Sequence, residues 1–198
     1  MRVLVECKMM KKLISLGLVW ATAVALSSAH AADASDGTIN FAGQMIEQTC
    51  QVSINGQAGA NATIILPTVT TDSLNGPGTQ GQTKGDTLLR FTLSGCAGPA
   101  TKARVFFENT GSAAVYQVGP YAFNLRNTSS DSSAATGVGL QIFDATGASV
   151  KMGDLGQRNL PAINLGADIV YSVRYLSVTL AALPGPFSAL ATYSIDYL

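Results

Sequence analysis

Histidine and tryptophan are all but missing from this sequence, which holds one of each, His30 and Trp20. Both lie near the N-terminus, in a segment marked for removal on export. Lys8, Lys11 and Lys12 precede an apolar run from Leu13 to Leu26, and Ala29-His30-Ala31 follows it. A basic stretch, a short apolar core and an A-x-A site predict a secretory signal peptide over residues 1–31. Met9 or Met10 would begin a more ordinary signal than Met1. A membrane-spanning helix needs about 20 apolar residues, so the run is too short for a retained anchor. Cleavage after Ala31 leaves a chain without histidine. A Ser-His-Asp or Cys-His arrangement is then impossible, as is a histidine-built metal site.

Charge is scarce too, at 12% of residues. Residues 32–198 keep eight bases and eleven acids, a net charge of −3, and these are scattered. No basic patch invites nucleic acid, and no charged run marks a disordered tail. Asp72 with Asp86, or Asp144 with Asp154, can be imagined as paired carboxylates for hydrolysis, but polar loop carboxylates are usually just solvated and no pattern around these supports catalysis. The expectation is a chain that is not an enzyme and takes no cofactor or metal.

Cysteine is the last scarcity. Cys7 leaves with the signal, and Cys50 and Cys96 remain, 46 positions apart. Two cysteines in an exported chain most simply form one disulfide. Loop closure gives such a bridge about 4 kcal/mol. A reactive or metal-binding pair would need a histidine or further soft ligands.

What the chain does hold is short β-branched and aromatic runs divided by Gly, Asn, Ser and Pro. The predicted strands are Gln51–Ile54, Thr63–Leu66, Thr87–Leu93, Ala103–Glu108, Val138–Phe143, Ile169–Leu180 and Ala189–Tyr197. No helical stripe competes with them, so the fold class is all-β, a sandwich with one core. Thr70–Asp86 and Asn127–Thr136 read as long polar loops, solvated by default or else exposed for contacts with other molecules. In the last run Tyr193, Ile195 and Tyr197 share a face. The sequence stops at Leu198, which predicts a final strand with an unpaired edge.

Upstream of Cys50 lies one more alternating segment, Gly37-Thr38-Ile39-Asn40-Phe41-Ala42-Gly43-Gln44-Met45. Gly37, Ile39, Phe41, Gly43 and Met45 fall on one face, since successive strand side chains point to opposite sides. Alternation alone favours an ordinary first strand. Three features oppose that: the extreme N-terminal position after cleavage, the lack of a Gly or Pro turn in Ile46-Glu47-Gln48-Thr49, and Gly43 inside the apolar stripe. Addition to a sheet of another molecule fits all three. Burial of Ile39, Phe41 and Met45 offers roughly 1.5–3 kcal/mol each, and each ladder hydrogen bond about 0.5–1.5 kcal/mol. Head-to-tail donation does not close, so it yields filaments.

The alternating arm, Cys50 and Cys96, Gly139-Leu140-Gln141-Ile142-Phe143-Asp144 with Gly147, and Ala191-Thr192-Tyr193-Ser194-Ile195-Asp196-Tyr197-Leu198 together resemble the type 1-like fimbrial subunits of the chaperone–usher class, most closely the major pilins. The resemblance covers the chain past the signal. It implies an incomplete immunoglobulin-like sandwich completed by donor-strand exchange, with an arm at 32–49 and a pilin domain at 50–198. It implies Gly37, Ile39, Phe41, Gly43 and Met45 as donor-strand residues. Tyr193, Ile195 and Tyr197 become the border of the acceptor groove. The Leu198 carboxylate becomes the chaperone's anchor point, although the family commonly ends on a polar residue. Implied partners are identical or related pilin subunits, a periplasmic chaperone and an outer-membrane usher, and the implied location is a Gram-negative cell-surface fimbrium supporting adhesion. A minor shaft or adaptor subunit is the alternative, followed by a monomeric exported carbohydrate-binding sandwich.

Overall fold

The computed structural model describes residues 42, 49–76, 78–111 and 114–198. The signal segment and the donor-arm residues Gly37, Ile39, Phe41, Gly43 and Met45 lie outside the described residues. The strands are β1 (Thr49–Ile54), β2 (Gln57–Ala58), β3 (Thr83–Ala97), β4 (Lys102–Phe107), β5 (Leu125–Arg126), β6 (Val138–Asp144), β7 (Ser149–Val150), β8 (Ile163–Asn164), β9 (Ile169–Ser177) and β10 (Tyr193–Tyr197). Among the described residues the only helical structure is two 3₁₀ turns, Thr71–Ser73 and Leu155–Asn159. The all-β expectation holds.

The strands form two sheets. One has the order β2-β1-β3-β9-β6-β5 with β7 also on β6; the other has the order β10-β4-β8. Alternation explains the inner faces. On β3, Leu89, Phe91 and Leu93 are buried while Leu88 and Arg90 face out; on β9, Ile169, Tyr171, Val173 and Tyr175 point inward. Phe91, Phe107 and Tyr171 meet edge to face between the sheets, with ring centroids 5.0 to 6.1 Å apart. Each such contact adds about 0.5–1.5 kcal/mol beyond the buried area. Cys50 and Cys96 are disulfide-bonded and tie β1 to β3 beside the Thr49–Ala97 pair.

Side chains complete the backbone pairing where the strands stop. The Gln157 amide is buried, accepts from the Phe107 N–H (2.8 Å) and donates to the Phe107 C=O (3.0 Å) and to Lys151 O (2.8 Å). It replaces a missing ladder rung at the end of β4. Gly85 sits at φ +75°, where the β3–β9 register slips between Lys84 and Thr87. A Cβ there would stand 3.0 Å from Val69, so glycine lets residues 67–69 lie close on β3.

Three strand expectations need correction. Ile169–Leu180 ends at Ser177, whose hydroxyl is held between Leu74 O (2.8 Å) and Thr179 O (2.7 Å) as the chain turns away. Ala189–Tyr197 begins only at Tyr193, because Leu190, Ala191 and Thr192 face solvent. Among the described residues, Thr63–Leu66 is in no ladder. The two polar loops are also less free than expected. Asn75 exchanges hydrogen bonds with Ala182 N (2.6 Å) and O (3.0 Å). Asn127 donates to Ala135 O and Pro186 O and accepts from Ser129 N and Ser188 N, which pins the 127–136 loop to 183–188.

Candidate functional site

Among the described residues β10 is an edge strand, paired on one side only. Antiparallel pairing joins it to β4 from Tyr193↔Phe107 to Tyr197↔Ala103. Thr192 O accepts from Glu108 N (2.9 Å), and Leu198 exchanges bonds with Lys102 (2.8 and 2.9 Å). Even-numbered backbone groups therefore face β4, and by alternation the N–H and C=O of Tyr193, Ile195 and Tyr197 face away from it. The same three side chains pack against the core yet stay only half-buried. Large apolar residues in that state are a surface awaiting cover.

Residues 61–69 form a second wall, which begins next to the Tyr193 contact at Ala60. Ala62, Ile64, Leu66 and Val69 turn toward the core, and Asn61, Thr63 and Ile65 turn out, Ile65 at 81% exposure. This is a strand's alternation without a ladder. Among the described residues, no backbone–backbone hydrogen bond involves 61–69; Thr63 N and O are held by the Gln57 side chain instead. The Thr63–Leu66 expectation thus found the right shape and missed that the neighbouring strand is not supplied by residues 49–198. At one point the gap is bridged: the Tyr193 hydroxyl donates to Ala60 O at 2.8 Å, and its ring stands edge-on to Phe91 with centroids 4.9 Å apart.

At the Leu66–Val69 end of this wall lies a cleft of ≈ 530 Å³ lined by Leu66, Val69, Leu74, Tyr175, Ala182 and Phe187, among others. Phe187 stands edge-on to Tyr175 at 5.1 Å. Sequence reading missed these cleft residues; their signal was the alternation of 62–66, already taken for an ordinary strand. On the outer face of β10, Asp196 meets Arg104 (3.4 Å) and Arg158 (3.1 Å). Leu198 lies beside Thr101 and Lys102, at the same end of the sandwich as Thr49 and Ala97.

The carboxylates offered as hydrolytic pairs have other roles. The Arg174 side chain, donating to Asp86 at 2.8 Å, holds that carboxyl below its ordinary range. Desolvation raises the Asp144 carboxyl, but the Thr146 hydroxyl and the N–H groups of Ala148, Thr146 and Gly147 outweigh it and keep it low. Asp154 caps the second 3₁₀ turn through Gly156 N. Asp144 and Asp154 border one hollow of ≈ 100 Å³ with both acids committed to backbone N–H groups. Among the described residues no group of His, Cys, Asp and Glu is arranged to hold a metal.

A family model described as Fimbrial protein matches residues 39–198, from the arm through β10. The chain belongs to the fimbrial protein family. It is 32% identical to the "Fimbrial subunit type 1" of Klebsiella pneumoniae, over 94% of this chain and 99% of that one. It is also 32% identical to the "Major fimbrial subunit SMF-1" of Stenotrophomonas maltophilia, over 84% and 95%. Among solved structures it is similar to the P pilus rod subunit PapA, at 17% identity and a TM-score of 0.49, over 82% of this chain and 99% of that one. The protein is a structural subunit of a fimbria on the surface of a Gram-negative cell, not an enzyme.

The tyrosines of this pilin give the sandwich an alkaline limit. Burial pushes Tyr171 up to about 12, against the opposing hydrogen bond to Val105 O, and burial also raises Tyr193 and Tyr197 in the open edge. An unfolded phenol ionises near 10, whereas the folded protein holds these protons to higher pH. Their contribution is therefore complete below pH 10 and lost as pH rises toward 12. Denaturation midpoints of the fimbrial subunit are expected to stay level up to about pH 10 and fall between 10 and 12. A midpoint that rises across that window would reverse the sign.

Proposed function

We propose that this subunit is completed by a strand from another copy, and in turn donates the arm that precedes β1 to the next. The observation that carries the reading is the pairing of two incomplete walls. Backbone groups of Tyr193, Ile195 and Tyr197 point away from β4, and among the described residues the extended 61–69 segment has no ladder partner either. One strand laid between them supplies both sides at once. The arm's alternating Ile39, Phe41, Gly43 and Met45 suit that place: an apolar face inward, a polar face outward.

The arm leads into Thr49, at the Leu198 end of the sandwich. A donor strand antiparallel to β10 puts the donor's body beyond the opposite end of the acceptor, by the cleft. Each copy then carries its arm at one end and its open cleft at the other, and the filament grows head to tail. A parallel donor would crowd two bodies at the end from which the acceptor's own arm leaves. In this reading a periplasmic chaperone covers the edge before assembly, gripping near the Leu198 carboxylate, and an outer-membrane usher directs the exchange. A major, rod-forming role fits the "major fimbrial subunit" similarity and the absence of a second folded region among residues 49–198.

Deleting Ala32–Met45 while keeping the signal tests this. The product is expected to be held by its chaperone and to be absent as a donor from surface polymers. A truncated chain that stays soluble and monomeric without a chaperone would refute the incomplete domain.

A further inference from the structure

Asn followed by Gly occurs twice in the sequence, at Asn55-Gly56 and Asn75-Gly76. In this dipeptide the next backbone nitrogen attacks the side-chain amide most easily, because glycine carries no side chain to shield it. Both carboxamides are engaged in the fold. Asn55 donates to Leu88 O (2.7 Å) and accepts from Arg90 N (2.7 Å). Asn75 donates to Ala182 O (3.0 Å) and accepts from Ala182 N (2.6 Å). Each side chain stands in for a strand residue where backbone pairing stops, one upstream of the 61–69 wall and one downstream.

The two sites differ in what guards the attacking nitrogen. Gly76 N donates to Leu180 O (3.3 Å), so nucleophile and electrophile are both held. Asn55-Gly56 is the two-residue turn between β1 and β2, closed by the Ile54–Gln57 pair, with φ 47° at Asn55 and 81° at Gly56. That turn is exposed, and nothing lies within 4 Å of where a Gly56 Cβ would stand. The wall hangs on it. Gln57, next in the chain, holds Thr63 through both N (3.4 Å) and O (3.0 Å), and among the described residues no backbone ladder supports 61–69.

We propose that Asn55 is a modification site, where spontaneous deamidation in a locally opened turn unfastens the 61–69 wall. Gly56 N attacks Asn55 Cγ, ammonia leaves, and water opens the resulting succinimide to aspartate or isoaspartate; nothing is oxidised or reduced. Aspartate has no N–H for Leu88 O and sets an anion against that carbonyl. Isoaspartate adds a methylene to the backbone of a two-residue turn, so Ile54 and Gln57 no longer meet in register. Either product removes the anchor of Gln57, and with it the hold on Thr63. On the strand-exchange reading above, such a subunit loses the wall that receives a neighbour's strand.

Peptide mapping by mass spectrometry follows both sites in the chaperone-bound subunit and in the same chain unfolded in urea. Unfolded, both are expected to convert at similar rates. Folded, Asn55 is expected to slow at least tenfold, and Asn75 at least tenfold more. Equal rates at the two sites in the folded subunit, or no conversion at Asn55 even when unfolded, would overturn the assignment. Full-length Asn55→Asp, and Gln57→Ala as a second route to a free wall, are each expected to raise thermolysin cleavage within residues 57–69 at least tenfold. Asn164→Asp, at an exposed position of β8, is expected to leave it unchanged. Unchanged cleavage in both wall variants would overturn the link from turn to wall. A loosened wall with undiminished surface fimbriae would leave that link standing and contradict strand exchange instead. If Asn55→Asp leaves no folded subunit, Gln57→Ala and the conversion rates decide.

Discussion

Phe41→Asp is expected to abolish polymerisation while the subunit still folds and is still held by its chaperone. Phe41 is the largest apolar residue of the arm. Its burial offers about 1.5–3 kcal/mol, and an ionised carboxylate forced into an apolar groove adds a penalty of several kcal/mol. Since about 1.4 kcal/mol is tenfold in an equilibrium, the exchanged state falls by well over a hundredfold. Phe41→Leu keeps most of the apolar area and is expected to assemble. Surface fimbriae counted by microscopy, alongside subunit recovered in chaperone complex, separate the outcomes. If Phe41→Asp instead unfolds the chaperone-bound subunit, the arm belongs to its own domain's core.

The second large effect belongs to the disulfide. Cys50 and Cys96 join β1 to β3, and the chain continues from β1 through β2 into the 61–69 wall. Closing the 46-residue separation contributes about 4 kcal/mol in the loop-closure model. Against a typical domain stability of about 5–15 kcal/mol, that is a large share. Cys50→Ser with Cys96→Ser is expected to lower the denaturation midpoint sharply and to cut the yield of chaperone-bound subunit several-fold. The 61–69 wall, which has no backbone ladder of its own among the described residues, is expected to be the first part lost. Unchanged yield and midpoint in the double variant would make the bridge incidental.

What the sequence revealed and what it hid follow one line. Alternation of Leu89, Phe91 and Leu93, or of Ile169, Tyr171 and Val173, marks strands whose partners lie in the same chain, and these were legible with errors of a few residues at the ends. The same alternation in 62–66 was equally visible, but periodicity reports which face is buried, not whether a neighbour is present. The wall was therefore read as a strand. Short β2, β5, β7 and β8 carry no periodicity over two residues and exist only through their partners. The loops at Asn75 and Asn127 looked solvated because polarity is the only local cue; their fixed positions come from hydrogen bonds to residues about 60 to 107 positions away. Of the site, Tyr193, Ile195 and Tyr197 were visible as one face. The Tyr193–Ala60 bridge was not, since it spans 133 positions.

The most direct measurement uses the arm-deleted chain in its chaperone complex and a synthetic peptide covering residues 34–47. Strand exchange predicts that the peptide displaces the chaperone and leaves a stable monomer with a markedly raised denaturation midpoint, while the same peptide with Phe41→Asp does neither. A chaperone complex indifferent to both peptides, or an arm-deleted chain equally stable with no strand added, would contradict the claim that this domain is finished by another molecule.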